Sequence, residues 1–137
     1  MAYGALFSSK LVSQGDFAQA ISKASEEIAA SPDEPESFFN RGQALSALGR
    51  FAEAAADYET ALRLDASASA LDPDTVDDEL FFVLRSLAAA QKAQPAQAIA
   101  TLERYRSILP TGRHLADIKT WVDHVNGVET IWVRERV

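Results

Sequence analysis

Apolar residues recur at helical spacing in several segments of this chain, separated by short polar or glycine-bearing gaps. Phe51, Ala54, Ala55, Tyr58, Ala61 and Leu62 fall on one face of a helix. Leu115, Ile118, Trp121, Val122 and Val125 do the same near the end. The pattern predicts helices near 2–14, 17–30, 35–48, 51–64, 74–92, 95–109 and 112–126. Gly15 and Gly49 sit between paired helices, where a residue without a Cβ takes a left-handed turn most easily. Two helix starts are marked by acids. Asp33, Glu34 and Glu36 surround Pro35 at the positive end of the third helix. Asp72, Pro73 and Asp74 offer a cap, a first-turn proline and a further acid to the fifth. We read the Asp72–Asp78 acids as helix-start chemistry; the ligand spacing and glycine of a calcium loop are absent.

The pattern also repeats. Gly15, Phe17, Ala18 and Ala20 return 34 residues later as Gly49, Phe51, Ala52 and Ala54. Ala18, Gln19, Ala20 and Ile21 return as Ala96, Gln97, Ala98 and Ile99. The step from Ala54 to Ala98 is 44, and the ten extra residues fall in the polar stretch 69–78. A period of about 34 is that of a helix–turn–helix unit. Phe38, Arg41, Gly42 and Leu45 are followed by Ala54, Tyr58 and Ala61. At that spacing the chain resembles the tetratricopeptide-repeat family. Phe7, Ser8, Leu11, Ala20, Ala24 and Pro32 hold the equivalent places in a first copy. Phe82, Ser86, Ala89, Ala98, Leu102 and Pro110 hold them in a third. The departures are Gly4 at a bulky position, Glu27 and Tyr105 at a small one, and Ala66 at the closing proline.

The resemblance implies an all-α fold, a right-handed superhelical stack of about seven helices in antiparallel pairs. A repeat domain would span 1–126, with units near 1–34, 35–68 and 79–112, an acidic insertion at 69–78 and a capping helix at 112–126. The tail 127–137 is open to a helix extension, a strand or a loose arm. The first helix of each unit would line an inner groove, reaching it through Ala2, Ala5, Ser9, Val12 and Ser13, then Glu36, Phe39, Asn40, Gln43 and Ala47, then Leu80, Val83, Leu84, Leu87 and Gln91. We take Val12, Phe39, Asn40, Gln43, Leu80, Val83, Leu84 and Leu87 as the partner-binding set. The family's carboxylate clamp is matched by Asn40 alone: Ala5, Ser9, Leu80 and Leu84 stand where its bases and second asparagine belong. The fifth helix is apolar nearly all round and needs cover on every side. Candidates are the tail around Ile131, Trp132 and Val133, a second copy, or a foreign helix or peptide.

Charge and composition narrow the function. A net charge of -7 argues against holding a phosphate backbone, which draws its affinity from lysine and arginine. The charge is uneven: Asp72, Asp74, Asp77 and Asp78 precede a mildly basic pair of helices carrying Arg85, Lys92, Arg104 and Arg106. There is no cysteine, hence no disulfide, thiol chemistry or cysteine–zinc site; this fits a reducing cytoplasm. We expect no signal peptide and no membrane-inserted segment. His114 and His124 lie ten residues apart, a poor spacing for a metal pair, and the six glycines form no phosphate loop. No catalytic set, metal site or cofactor site is expected. The reading is a non-enzymatic adaptor binding a partner peptide or amphipathic helix; the alternative is a self-assembling, homo-oligomeric scaffold.

Overall fold

The computed structural model describes residues 7–67 and 69–136, with side chains through Gly127. Among the described residues there are seven helices and no strand: α1 (Phe7–Ser13), α2 (Phe17–Ala30), α3 (Pro35–Ala47), α4 (Phe51–Leu64), α5 (Pro73–Ala90), α6 (Pro95–Ile108) and α7 (Leu115–Arg136). None of them is long and apolar enough to cross a membrane. The backbone of 127–136 continues α7, so the tail takes the helical option. The proposed cover of the fifth helix by Ile131, Trp132 and Val133 lies outside the described side chains. So do Ala2 and Ala5.

The chain divides into two compact units, 1–83 and 84–137. In the first, α1 pairs with α2 and α3 with α4, and α3 packs on both α1 and α2. The two hairpins turn by identical chemistry. Gly15 and Gly49 both adopt φ +78°. Gly15 N–H donates to the Val12 carbonyl at 3.0 Å and Asp16 N–H to Leu11 at 2.9 Å; Gly49 and Arg50 donate likewise to Ser46 and Leu45. This pair of bonds is the Schellman motif, which satisfies carbonyls orphaned at a helix end and requires a left-handed residue. At the far ends of the second helices, Ser31, Asp65 and Leu109 close α2, α4 and α6, each through its N–H to the carbonyl four residues back.

The centre of the first unit is Tyr58, fully buried on α4. Its ring lies directly on α3 at Gly42: a Cβ placed there would come 2.6 Å from Tyr58 Cε1. The small residue therefore admits the neighbouring helix's tyrosine, while Ala54, Ala55 and Ala61 are buried alongside it. The Tyr58 hydroxyl donates to Glu79 at 3.2 Å; burial, then that carboxylate, holds the phenol far above its ordinary pKa. Arg41 makes a two-bond pair with buried Asp57 at 2.8 and 2.9 Å and reaches Ser25 at 3.2 Å, tying α3 to α4 and α2.

The stretch after α4 is ordered by one carboxylate. Asp65 accepts the backbone N–H of Ser69, Ala70 and Leu71 at 3.1, 3.1 and 3.0 Å, delivering Leu71 to a cluster with Ala61 and Val76. At the start of α5 the Thr75 hydroxyl donates to Asp72 at 2.5 Å. The acids ahead of α3 crowd one another. Glu34 has a buried oxygen, Oε1, without a hydrogen-bond partner. Burial and then Asp33 raise the Glu34 pKa; burial, Glu34 and Asp65 raise that of Glu36.

In the second unit α6 and α7 pack together. Leu102, Tyr105 and Ile118 are fully buried or nearly so. No glycine turns the chain between α5 and α6. The turn is held by Gln91 N–H to the Ala88 carbonyl, Gln94 N–H to Gln91, and the Thr101 hydroxyl to Gln91 Oε1 at 2.6 Å.

Two stability outcomes follow from this packing. Gly42→Ala gains about 1 kcal/mol of helix propensity, but overpacking against a fully buried ring costs about 1–3 kcal/mol. We expect net destabilisation of about 1 kcal/mol in urea titration, turning into a net gain when Tyr58→Leu is introduced first. Glu34→Gln tests the acidic crowding. A carboxylate with a raised folded-state pKa contributes stability at acid pH and loses it as pH rises through that pKa. Glu34→Gln should therefore raise the thermal midpoint at pH 7. The advantage should vanish below about pH 4, where both forms are neutral.

Candidate functional site

The expected inner-face residues meet two fates. On α3, Phe39 and Gln43 are half-buried. Phe39 packs against the Ala61, Leu71 and Val76 cluster, its ring 5.6 Å from that of Tyr58. Its outer part is thus held rigidly on the core. Val12 of α1 is also half-buried, against Leu11, Ala20 and Ala44. Asn40 is different. It is buried, and its side-chain amide donates to Ser8 Oγ at 3.0 Å. That bond commits it to joining α3 to α1, so its amide is not open to a ligand.

Leu80, Val83 and Leu84 have no exposed surface at all. They present nothing to a ligand in this structure, which corrects their reading as groove-lining positions. A helix rich in large aliphatic residues gains about 2–3 kcal/mol for each one fully removed from water, so burial of these three is the physically preferred state. Leu87 is half-buried, and Phe82, on the same helix, is 46% exposed. Gln91 is engaged by Thr101.

Both polar departures from the small-residue pattern have structural work. The Glu27 carboxylate accepts the backbone N–H of Ser8 at 3.2 Å and also the Ser8 hydroxyl, which in turn accepts from Asn40. Glu27 thereby caps the first turn of α1 and closes a three-residue chain of hydrogen bonds across α1, α2 and α3. Tyr105 accepts the His114 N–H at 2.8 Å through its hydroxyl and lies so close to Gly112 that a Cβ there would come 2.7 Å from its Cζ. It pins the link from α6 to α7. His114 Nδ1 is 3.0 Å from Asp117 Oδ2.

The second unit holds a cavity of about 580 Å³ between the end of α5, the start of α6 and α7. Its walls include Ala88, Ala89, Ala93, Leu102 and Val125, and Arg85, Lys92, Trp121 and His124 also line it. The volume lies in the range that takes a ligand or an inserted side chain. The Arg85 guanidinium stands 5.2 Å from the centre of the Trp121 ring, a cation–π arrangement, and the His124 ring meets Trp121 edge-on at 5.9 Å. Trp121 remains 37% exposed. Among the described residues, no acid lines the cavity. Sequence reading placed Arg85 and Lys92 in a mildly basic segment and Trp121 in a shielding helix, without joining them. The available signal was spacing: Arg85, Ala89 and Lys92 stand at i, i+4 and i+7, a small apolar step between two bases on one face.

Residues 8–69 match the family described as Tetratricopeptide repeat. No curated protein matches the chain. The matched segment contains α2, α3 and α4, nearly all of α1, both left-handed glycine turns and the Gly42–Tyr58 contact. Such repeats generally mediate protein–protein interaction. A family match and a hairpin geometry that repeats with its 34-residue period thus coincide, and this chain carries tetratricopeptide repeats over residues 8–69.

Proposed function

We propose that this chain is a non-catalytic, cytoplasmic adaptor that holds a peptide or amphipathic helix of another protein against the inner face of its repeats. The observation that carries the reading is the state of α3. Phe39 and Gln43, one helical turn apart, stay partly open in a hairpin whose central side chain, Tyr58, is fully enclosed. An aromatic anchor fixed on a packed core beside a free amide is the arrangement that gives a peptide both apolar contact and register. The retained set, all within the first unit, is Val12, Phe39 and Gln43; Asn40 supports it from beneath by fixing α1 to α3.

A second reading, self-assembly, draws on Phe82, which is well exposed and meets Phe51 edge-to-face at 5.9 Å. Sedimentation over a range of concentrations separates the two. An oligomer dispersed by Phe82→Asp supports the scaffold, and a monomer at the highest concentration removes it.

Affinity capture tests the adaptor reading, with wild-type chain beside Phe39→Ala/Gln43→Ala and beside the single, milder Gln43→Arg. The expected result is a specific protein recovered by the wild type and reduced about tenfold or more by either variant, as loss of an interface anchor produces. Unchanged recovery with variants whose circular dichroism and melting match the wild type sinks the inner-face assignment.

A further inference from the structure

We propose that the cavity between α5, α6 and α7 is a second docking site, specific for an acidic peptide segment that inserts a bulky apolar side chain between Ala89, Leu102 and Trp121 and places a carboxylate on Arg85 and Lys92. This rests on the reading that the chain binds other proteins, and it adds a site that none of the expected inner-face positions touches. Three observations converge on it. The volume of about 580 Å³ with alanine, leucine and valine walls accepts a large apolar group. Two cations border it with no acid among the described lining residues, in a chain whose net charge is -7. Neither Arg85 nor Lys92 is in an ion pair among the described residues.

Charge complementarity decides the occupant. The overall negative charge repels an acidic partner at long range, but physiological salt screens exposed charges beyond about 8 Å, so the local pair governs the bound state. One face of the Arg85 guanidinium is taken by Trp121. That contact leaves the N–H edge of a planar fork free to meet a carboxylate with two bonds, a geometry lysine does not offer. Stacking on the indole also limits the rotamer freedom that an exposed arginine otherwise loses on binding. A basic segment would set like charges against Arg85 and Lys92. A neutral apolar one would bury both cations without a partner.

The test uses the full-length chain as bait for a displayed library of random 12-residue peptides, followed by anisotropy titration of the winning labelled peptides. The expected winners carry Asp or Glu within one helical turn of Leu, Phe, Trp or Met. They should bind Arg85→Glu/Lys92→Glu about tenfold more weakly or worse, and lose affinity as salt rises. Replacing their acids by lysine should restore binding to that doubly reversed variant. Both substituted residues are exposed, and circular dichroism and melting confirm the fold. Winners without acids overturn the inference, as do winners that bind the doubly reversed variant as well as the wild type. If peptides are lost on Phe39→Ala/Gln43→Ala but retained by the doubly reversed variant, this site falls and the inner-face adaptor stands. A library that yields no binder sinks both. Binding of laurate at the cavity with no acidic peptide selected would also overturn it, reassigning the space to a free fatty acid.

Discussion

The contact between the Tyr58 ring and the backbone of α3 at Gly42 sets the geometry of the first unit. It demands a residue without a Cβ on one helix and an aromatic one on the next, with Ala54, Ala55 and Ala61 buried on the same helix as the ring. Once α4 lies that close, Arg41 reaches Asp57 with two hydrogen bonds, and Phe39 is pushed outward to rest on the tyrosine's flank. The left-handed turn at Gly49 returns α4 along α3 at the right point. Packing, polar pairing and the position of the candidate anchor therefore share one origin. A shift at Gly42 propagates to Phe39 because the fully buried Tyr58 ring packs against both in a close-packed interior.

The helices and their period were legible in the sequence because periodicity survives without knowledge of contacts. Apolar spacing, two glycines at equivalent places and three alanine-rich copies located α2, α3, α4 and α6 to within a residue. That Gly42 and Tyr58 hold fixed places in one unit was legible for the same reason; that the tyrosine ring lies directly on the glycine came from the structure. The fate of the fifth helix was not. An all-apolar helix announces that it must be covered and says nothing of which side remains for a ligand. Leu80, Val83 and Leu84 were assigned inward by their place in the unit, and the structure encloses all three. Position within a repeat is a statement about local direction, whereas burial is decided by whatever comes next in space.

Glu27 and Tyr105 illustrate the same limit from the polar side. As deviations from a small-residue position they read as faults in the pattern. In the structure each extends past that position to satisfy a backbone donor on a neighbouring element, Ser8 N–H for Glu27 and His114 N–H for Tyr105. A first-turn N–H has no partner within its own helix, so supplying an acceptor from the preceding or following element stabilises the junction. The substitutions are equivalent in place and in purpose, though one is a carboxylate and the other a phenol. Sequence alone shows a larger residue; only the position of the orphan donor explains its chemistry.

Polar side chains in this chain divide into those consumed by the fold and those left over, and the division bears on function more than the total charge does. Arg41, Asp57, Asn40, Glu27, Asp65 and Gln91 are all engaged in joining elements or fixing turns. Removing any of them perturbs a junction before it perturbs a ligand. Arg85 carries no such duty: it contacts the indole of Trp121, and Lys92 lies exposed at the same cavity. An exposed aromatic beside uncommitted cations contributes little to stability, since surface electrostatics of this kind is worth about 0.5–1 kcal/mol. The folded chain alone gives little energetic reason for a tryptophan, an arginine and a lysine to converge on an apolar cavity. A bound carboxylate supplies that reason, because the same groups gain strength when water is displaced from around them.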